Sequence, residues 1–159
     1  MVITDFDGAD DIGYKIALQA DGKILVAGWT SLDGKRNLAL ARYNPNGALD
    51  TDFGGMGKVT TSISGNDDAN SMAIQVDGKI LVAGSSSNGT DYDLALVRYN
   101  ADGSLDESFG RMGKITTGVK GIDEFGYSVA VQADGRILLA GSYFDRRDTK
   151  IILMRFMAE

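Results

Sequence analysis

Apolar residues in this chain fall in short runs, each broken by Gly, Asn or Asp. In the first stretch the runs are Lys15 to Gln19, Lys23 to Gly28, Leu38 to Asn44 and Lys58 to Thr61. Short runs bounded by turn residues read as strands, and no segment carries the spacing of an amphipathic helix. Asp21-Gly22 separates the first two runs by a tight turn, and Asn46-Gly47 marks the turn after the third. The strands are apolar on both faces. Leu38 and Leu40 point one way and Ala39 and Ala41 the other, so the sheet they form has to be covered on both sides.

The same arrangement returns twice. Asp21-Gly22-Lys23-Ile24-Leu25-Val26-Ala27-Gly28 recurs unchanged from Asp77 to Gly84, and with conservative changes from Asp134 to Gly141. The first glycine of the motif stands at 22, 78 and 135, giving periods of 56 and 57 residues. Arg42-Tyr43, Arg98-Tyr99 and Arg155-Phe156 keep step. So do Leu49-Asp50 with Phe53-Gly54, and Leu105-Asp106 with Phe109-Gly110. The chain is therefore three tandem copies of one four-strand unit.

The run Ile-Ala-Leu-Gln-x-Asp-Gly-Lys-Ile-Leu-Val-Ala-Gly, followed by Leu-Ala-Leu-x-Arg-Tyr-Asn-x-x-Gly-x-Leu-Asp-x-x-Phe-Gly and Gly-Lys-Val-Thr-Thr, resembles the delta-60 repeat, or DUF5122 β-propeller, family. The resemblance spans the chain. It implies a fold in which each copy is one four-stranded antiparallel blade, and it implies no activity or catalytic residue. A more distant similarity to NHL-type blades supplies an order, with Lys15–Gln19 as innermost strand A, then B, C and an outer strand D at Lys58–Thr61.

The copies are out of phase with the chain. The third reaches Glu159 after its strand C, while Val2-Ile3-Thr4 matches the end of a strand D. The expected organisation is all-β, with three four-stranded blades: blade 1 at about 14–61, blade 2 at about 70–117 and blade 3 at about 127–156, completed by strand 2–4. Three blades fall below the roughly four to eight of a ring, so the expectation is a homodimer closing a six-bladed ring, with strand 2–4 coming from the partner chain. A three-fold closure like that of a β-trefoil, or a piece of a longer propeller, are the alternatives.

Composition narrows the function. With 159 residues, 43% hydrophobic and 24% charged, the chain has the make-up of a folded soluble domain. A net charge of −6 argues against nucleic acid and anionic membranes. The chain has no histidine and no cysteine, which removes serine–histidine triads, histidine-bearing zinc sites, thiol catalysis and disulfides. No apolar run approaches the roughly 20 residues of a membrane-spanning helix. No basic start leads into an apolar stretch, so a secreted or bacterial cell-surface location would require a leader already removed.

Acidic residues recur before each strand A, as Asp10-Asp11, Asp67-Asp68 and Asp123-Glu124. Paired carboxylates can hold a cation or act as acid and base, but an element present in every blade more simply caps a turn in every blade. Asp5, Asp7 and Asp10 crowd around Gly8 without meeting the EF-hand pattern. Gly54-Gly55-Met56-Gly57-Lys58 lacks the Ser or Thr of a phosphate loop and recurs as a turn at Gly110 to Lys114. Arg42, Arg98 and Arg155 hold one equivalent position each, suited to a structural ion pair or cation–π contact.

The copies differ most between strands B and C: Trp29 to Asn37, Ser85 to Asp93 and Ser142 to Lys150. These segments read as loops, and variable loops on a repeated frame are where binding concentrates. They carry Trp29, Lys35, Arg36, Tyr92, Tyr143, Phe144 and Arg146. The resulting expectation is a non-enzymatic module binding a protein or carbohydrate partner through the face shared by the B–C and D–A segments, with no cofactor and no metal. A glycan-active hydrolase using the loop carboxylates, or a purely structural segment of a larger surface protein, are the other readings.

Overall fold

The computed structural model describes residues 1–8 and 10–157. Its eleven strands form three antiparallel sheets with no helix among the described residues. The first sheet comprises β1 (Asp11–Leu18), β2 (Ile24–Leu32), β3 (Lys35–Tyr43) and β4 (Lys58–Thr61), in that spatial order. The second repeats it with β5 (Asp67–Ile74), β6 (Ile80–Ser87), β7 (Tyr92–Tyr99) and β8 (Lys114–Thr117). The third has β9 (Asp123–Val131), β10 (Ile137–Phe144) and β11 (Thr149–Phe156) and no fourth strand among the described residues. Within the chain, residues 2–4 pair with none of the three sheets and lie beside the first.

The core lies between the sheets, as strands apolar on both faces require. Leu25, Leu38, Leu40 and Phe53 of the first blade pack on Met72, Ile80, Val82, Val97 and Tyr99 of the second. From the opposite face of that second blade, Leu81, Ala83, Leu94 and Leu96 pack on Val129, Ile137 and Leu139 of the third. Each Leu, Ile, Val, Met or Phe side chain so removed from water contributes about 1.5–3 kcal/mol. The inner strands adjoin, β5 packing against both β1 and β9.

The strands reach further than the apolar runs suggest. β2 and β3 continue to Leu32 and Lys35 and are joined by Asp33-Gly34, both at positive φ (52° and 74°). That is the two-residue hairpin turn whose twist matches the flanking strands. The segment 29–37, expected as a loop, is therefore mostly strand. Likewise only 88–91 and 145–148 remain as loop in the other copies. Strand A also starts earlier than expected, at Asp11, Asp67 and Asp123.

Each inner strand carries a β-bulge near its start, leaving Tyr14, Asn70 and Tyr127 as the extra residues. The bulge explains the glycine that closes the Asp-Gly-Lys-Ile-Leu-Val-Ala-Gly motif. A Cβ on Gly28 would stand 1.8 Å from the Ile12 carbonyl oxygen, on Gly84 1.7 Å from that of Asp68, and on Gly141 2.0 Å from that of Phe125. No side chain fits there.

The lysine and arginine of the repeat meet at one aspartate. Asp50 accepts from Arg42 Nε at 2.7 Å and pairs with Lys23 at 2.9 Å, and Asp106 does so with Arg98 and Lys79 at 2.7 and 3.0 Å. The guanidinium carbons stand 4.4 Å from the Phe53 ring centre and 4.3 Å from that of Phe109. Arg42 and Arg98 are structural as expected. Arg155 is exposed and meets no carboxylate among the described residues.

Candidate binding face

The starts of β1, β5 and β9 and the β2–β3, β6–β7 and β10–β11 turns share one end of the sheets, here called the top. The acidic residues before strand A stand there and divide by register. Asp11, Asp67 and Glu124 are equivalent, facing Thr30, Ser86 and Tyr143 across the pair. Each turns back onto its own D–A connection. Asp11 Oδ2 accepts the Phe6 amide at 2.8 Å, Asp67 Oδ2 the Ile63 amide at 2.7 Å, and Glu124 Oε1 the Val119 amide at 3.0 Å. Asp67 also accepts from Ser86 Oγ at 2.5 Å and is fully buried. These three are caps of the connection.

The residues one place earlier clasp neighbouring blades. Asn66 Oδ1 accepts the Arg36 amide of the first blade at 3.0 Å, and Asp123 Oδ1 accepts the Tyr92 amide of the second at 3.0 Å. Asp10 holds the same place before β1 and is exposed. Among the residues expected on a ligand face, Asp11, Asp67, Asp123 and Glu124 are thus engaged with backbone amides.

Glu124 is nearly inaccessible, and burial raises its carboxyl above the ordinary range, with Asp93, Asp91 and Asp123 adding to the effect. Asp68 differs from the caps. It follows Asp67 on β5, and burial raises its carboxyl, partly offset by Arg36 Nη1 at 3.1 Å.

A strip of aromatic and charged side chains crosses the top. Trp29 Nε1 donates to Tyr14 Oη at 3.4 Å, and the Arg36 guanidinium stands 5.6 Å from the centre of the Trp29 ring system. Arg36 also reaches Asp68, and its Nη2 donates to Tyr92 Oη at 3.3 Å. The Tyr92 ring is 5.2 Å from Phe125, which lies 6.5 Å from Tyr127 in a nearly parallel stack. Tyr14, Phe125 and Tyr127, absent from the expected set, complete this strip. The bulge presents Tyr14 and Tyr127 there, and no apolar run announces a bulge.

Lys35 stands exposed at the tip of the β2–β3 hairpin. On the third blade Tyr143 and Phe144 lie on β10 opposite Lys150 and Thr149, and Phe144 is 40% exposed. Arg146, at φ 70°, sits in a turn organised by Asp145, which accepts the Arg147 and Asp148 amides and pairs with Lys150. Among the described residues, Tyr143, Phe144 and Arg146 form no hydrogen bond, ion pair or ring contact with the strip.

Register shows that the strip occupies positions at which the copies differ. Trp29 corresponds to Ser85 and Ser142, Arg36 to Tyr92 and Thr149, Ile12 to Asp68 and Phe125, and Tyr14 to Asn70 and Tyr127. The residues that repeat are those spent on the core, the caps and the Arg–Asp–Lys clusters.

Sheets of this order, apolar on both faces and stacked about adjoining inner strands, are β-propeller blades. The model of the DUF5122 β-propeller family, a domain of unknown function, matches residues 19–53 and 75–109. Each match ends at the phenylalanine beneath the guanidinium. No curated protein matches. A solved fucose lectin from Kordia zhangzhouensis, in complex with methyl-fucoside, is similar at 14% identity and a TM-score of 0.47, over 87% of this chain and 90% of that one.

Proposed function

We propose that this chain is a non-enzymatic propeller module that binds a carbohydrate across its top face. The observation that carries the reading is the strip from Tyr14 through Trp29, Arg36, Asp68 and Tyr92 to Phe125 and Tyr127, built at positions the frame leaves free to vary. Tyr14 and Tyr127 are 55% and 56% exposed. An aromatic ring offers an apolar face to the C–H side of a pyranose, and a guanidinium or carboxylate beside it meets the hydroxyls. Engagement of Asp11, Asp67 and Glu124 with backbone amides speaks against a hydrolase built on those carboxylates.

Binding to an immobilised glycan panel, followed by titration of the hits, tests the reading. Glycan binding that Trp29→Ala weakens at least tenfold is expected. A folded chain that binds no glycan, or one whose binding ignores Trp29, overturns it, and a protein partner on the same strip then becomes the better account.

The assembly that presents this face is a homodimer closing a six-bladed ring. The two ends of the arc of blades support it. Ile12, Ile16 and Leu18 on the first blade are 42%, 62% and 71% exposed, and Ile151 and Leu153 on the third are 92% and 66% exposed. A two-fold rotation sets each end against the other and buries both. A monomeric mass in solution at micromolar concentration would refute the ring.

A further inference from the structure

Residues 2–5 act on the first blade as the end of an outer strand from a blade that would precede it. In the second blade, Tyr99 Oη donates to Thr61 Oγ1 at 2.8 Å and Lys114 Nζ donates to the Ser62 carbonyl at 2.7 Å, both at the end of β4. One blade earlier, Tyr43 Oη donates to Thr4 Oγ1 at 2.7 Å and Lys58 Nζ to the Asp5 carbonyl at 2.7 Å. Thr4 therefore takes the place of Thr61, and Val2 that of Val59. These are the contacts of a fourth strand whose first three strands are not beside it.

The third blade presents the converse. β3 and β7 each pair along four residues with an outer strand, whereas β11 carries none among the described residues. Ile151 occupies on β11 the place of Leu38 and Leu94, because it faces Ser142 as they face Trp29 and Ser85. Those two residues pair with Thr61 and Thr117. The inter-blade clasp is also open at both ends: Asp10 is exposed where Asn66 and Asp123 accept an amide, and the amide equivalent to those of Arg36 and Tyr92 belongs to Thr149.

We propose that residues 2–5 of one copy add to the outer edge of β11 of a second copy, antiparallel, with Val2 opposite Leu153 and Thr4 opposite Ile151. In the same junction Asp10 accepts the Thr149 amide. The inference rests on the two-copy ring proposed above and fixes its register. The exchange also builds a top-face cleft from two chains, with Ile12 and Tyr14 of one copy facing Ser142 and Thr149 of the other.

The chain has no cysteine, so disulfide trapping reads the register directly. Val2 and Leu153 are 58% and 66% exposed, so replacing them leaves the core intact. Directly opposed residues on antiparallel strands lie about 4.5–5.5 Å apart, within disulfide reach. Under mild oxidation Val2→Cys/Leu153→Cys is expected to form a covalent dimer that reductant reverses. Val2→Cys/Ile152→Cys, whose second thiol leaves the opposite face, is expected to link at least tenfold more slowly. Asp10→Ala is expected to speed exchange of the Thr149 amide in the dimer. A dimer by mass with no preference for the 2/153 pair overturns the exchange and leaves the ring standing. A monomeric mass overturns both, and a disulfide within one chain overturns both in favour of closure by a single copy.

Discussion

Tyr99 Oη donates to Thr61 Oγ1 at 2.8 Å in a fully enclosed junction between the second blade's third strand and the first blade's outer strand. Burial raises the Tyr99 phenol well above its ordinary value, so it stays a donor throughout the pH range of the folded protein. Tyr99→Phe leaves the buried Thr61 hydroxyl without its donor and is expected to cost about 1–3 kcal/mol, read as a lowered urea midpoint. Tyr43→Phe acts on Thr4, which is only half-buried, and water replaces the lost donor. A loss at Tyr43 as large as that at Tyr99 would contradict this account.

The aspartate shared by two cations is a second structural centre. Asp106→Asn leaves Arg98, buried under Phe109, beside Lys79 with no anion between them. Breaking a buried pair costs about 3–5 kcal/mol. Calorimetry should show a large fall in Tm, with Asp50→Asn behaving alike in the first blade.

Acid should act through the same residues. The Ser108 hydroxyl, with Lys79 and Arg98, holds the Asp106 carboxyl far below its ordinary range, and Lys23 with Arg42 lowers Asp50. A carboxylate depressed in the folded state stabilises it above the unfolded pKa of about 3.9, and that stability is lost as pH falls below it. Glu124 and Asp68 are raised, so they favour the folded state as they take up protons above that value. The urea midpoint should therefore hold or rise from pH 7 to about 5 and fall below about 4. Asp106→Asn should flatten the acid limb.

Gly84→Ala should be among the most damaging single changes. Its Cβ would overlap the Asp68 carbonyl oxygen, a backbone atom fixed by the bulge. A loss above about 4 kcal/mol, or no soluble folded chain, is expected. Gly89, whose Cβ meets nothing within 4 Å, is the control: it has positive φ, so Gly89→Ala costs only backbone strain of about 1–2 kcal/mol.

Tyr127 separates binding from folding. As the extra residue of a bulge, with 56% of its surface exposed, it contributes little to the core. Tyr127→Ala should move the unfolding free energy by less than about 0.5 kcal/mol, while weakening glycan binding severalfold in a titration.

The blades were legible because their determinants are local and repeated. Short apolar runs bounded by turn residues gave the strands, and recurrence gave their number and the structural role of Arg42 and Arg98. The Asp33-Gly34 hairpin was not legible, although this dipeptide carries the same turn signal as Asp21-Gly22. The polar residues around it, Ser31 to Asn37, masked strands whose outer ends face water and need no apolar side chains. The acidic doublets were visible, but their division into caps and clasps depends on a register set by the bulge. The strip was half visible for the same reason. Trp29, Arg36 and Tyr92 stand in variable segments, whereas Tyr14, Phe125 and Tyr127 lie in strands where an aromatic residue reads as core.

The clasp between blades runs in one direction. Asn66 and Asp123 each reach back to an amide of the blade before, and every blade so built offers an acceptor to its predecessor and a donor to its successor. An in-frame duplication of one repeat would thus arrive with both of its junctions already written. Such a gene can lengthen or shorten by whole blades, and mutation can then redraw the top of each new blade, without any contact having to be invented.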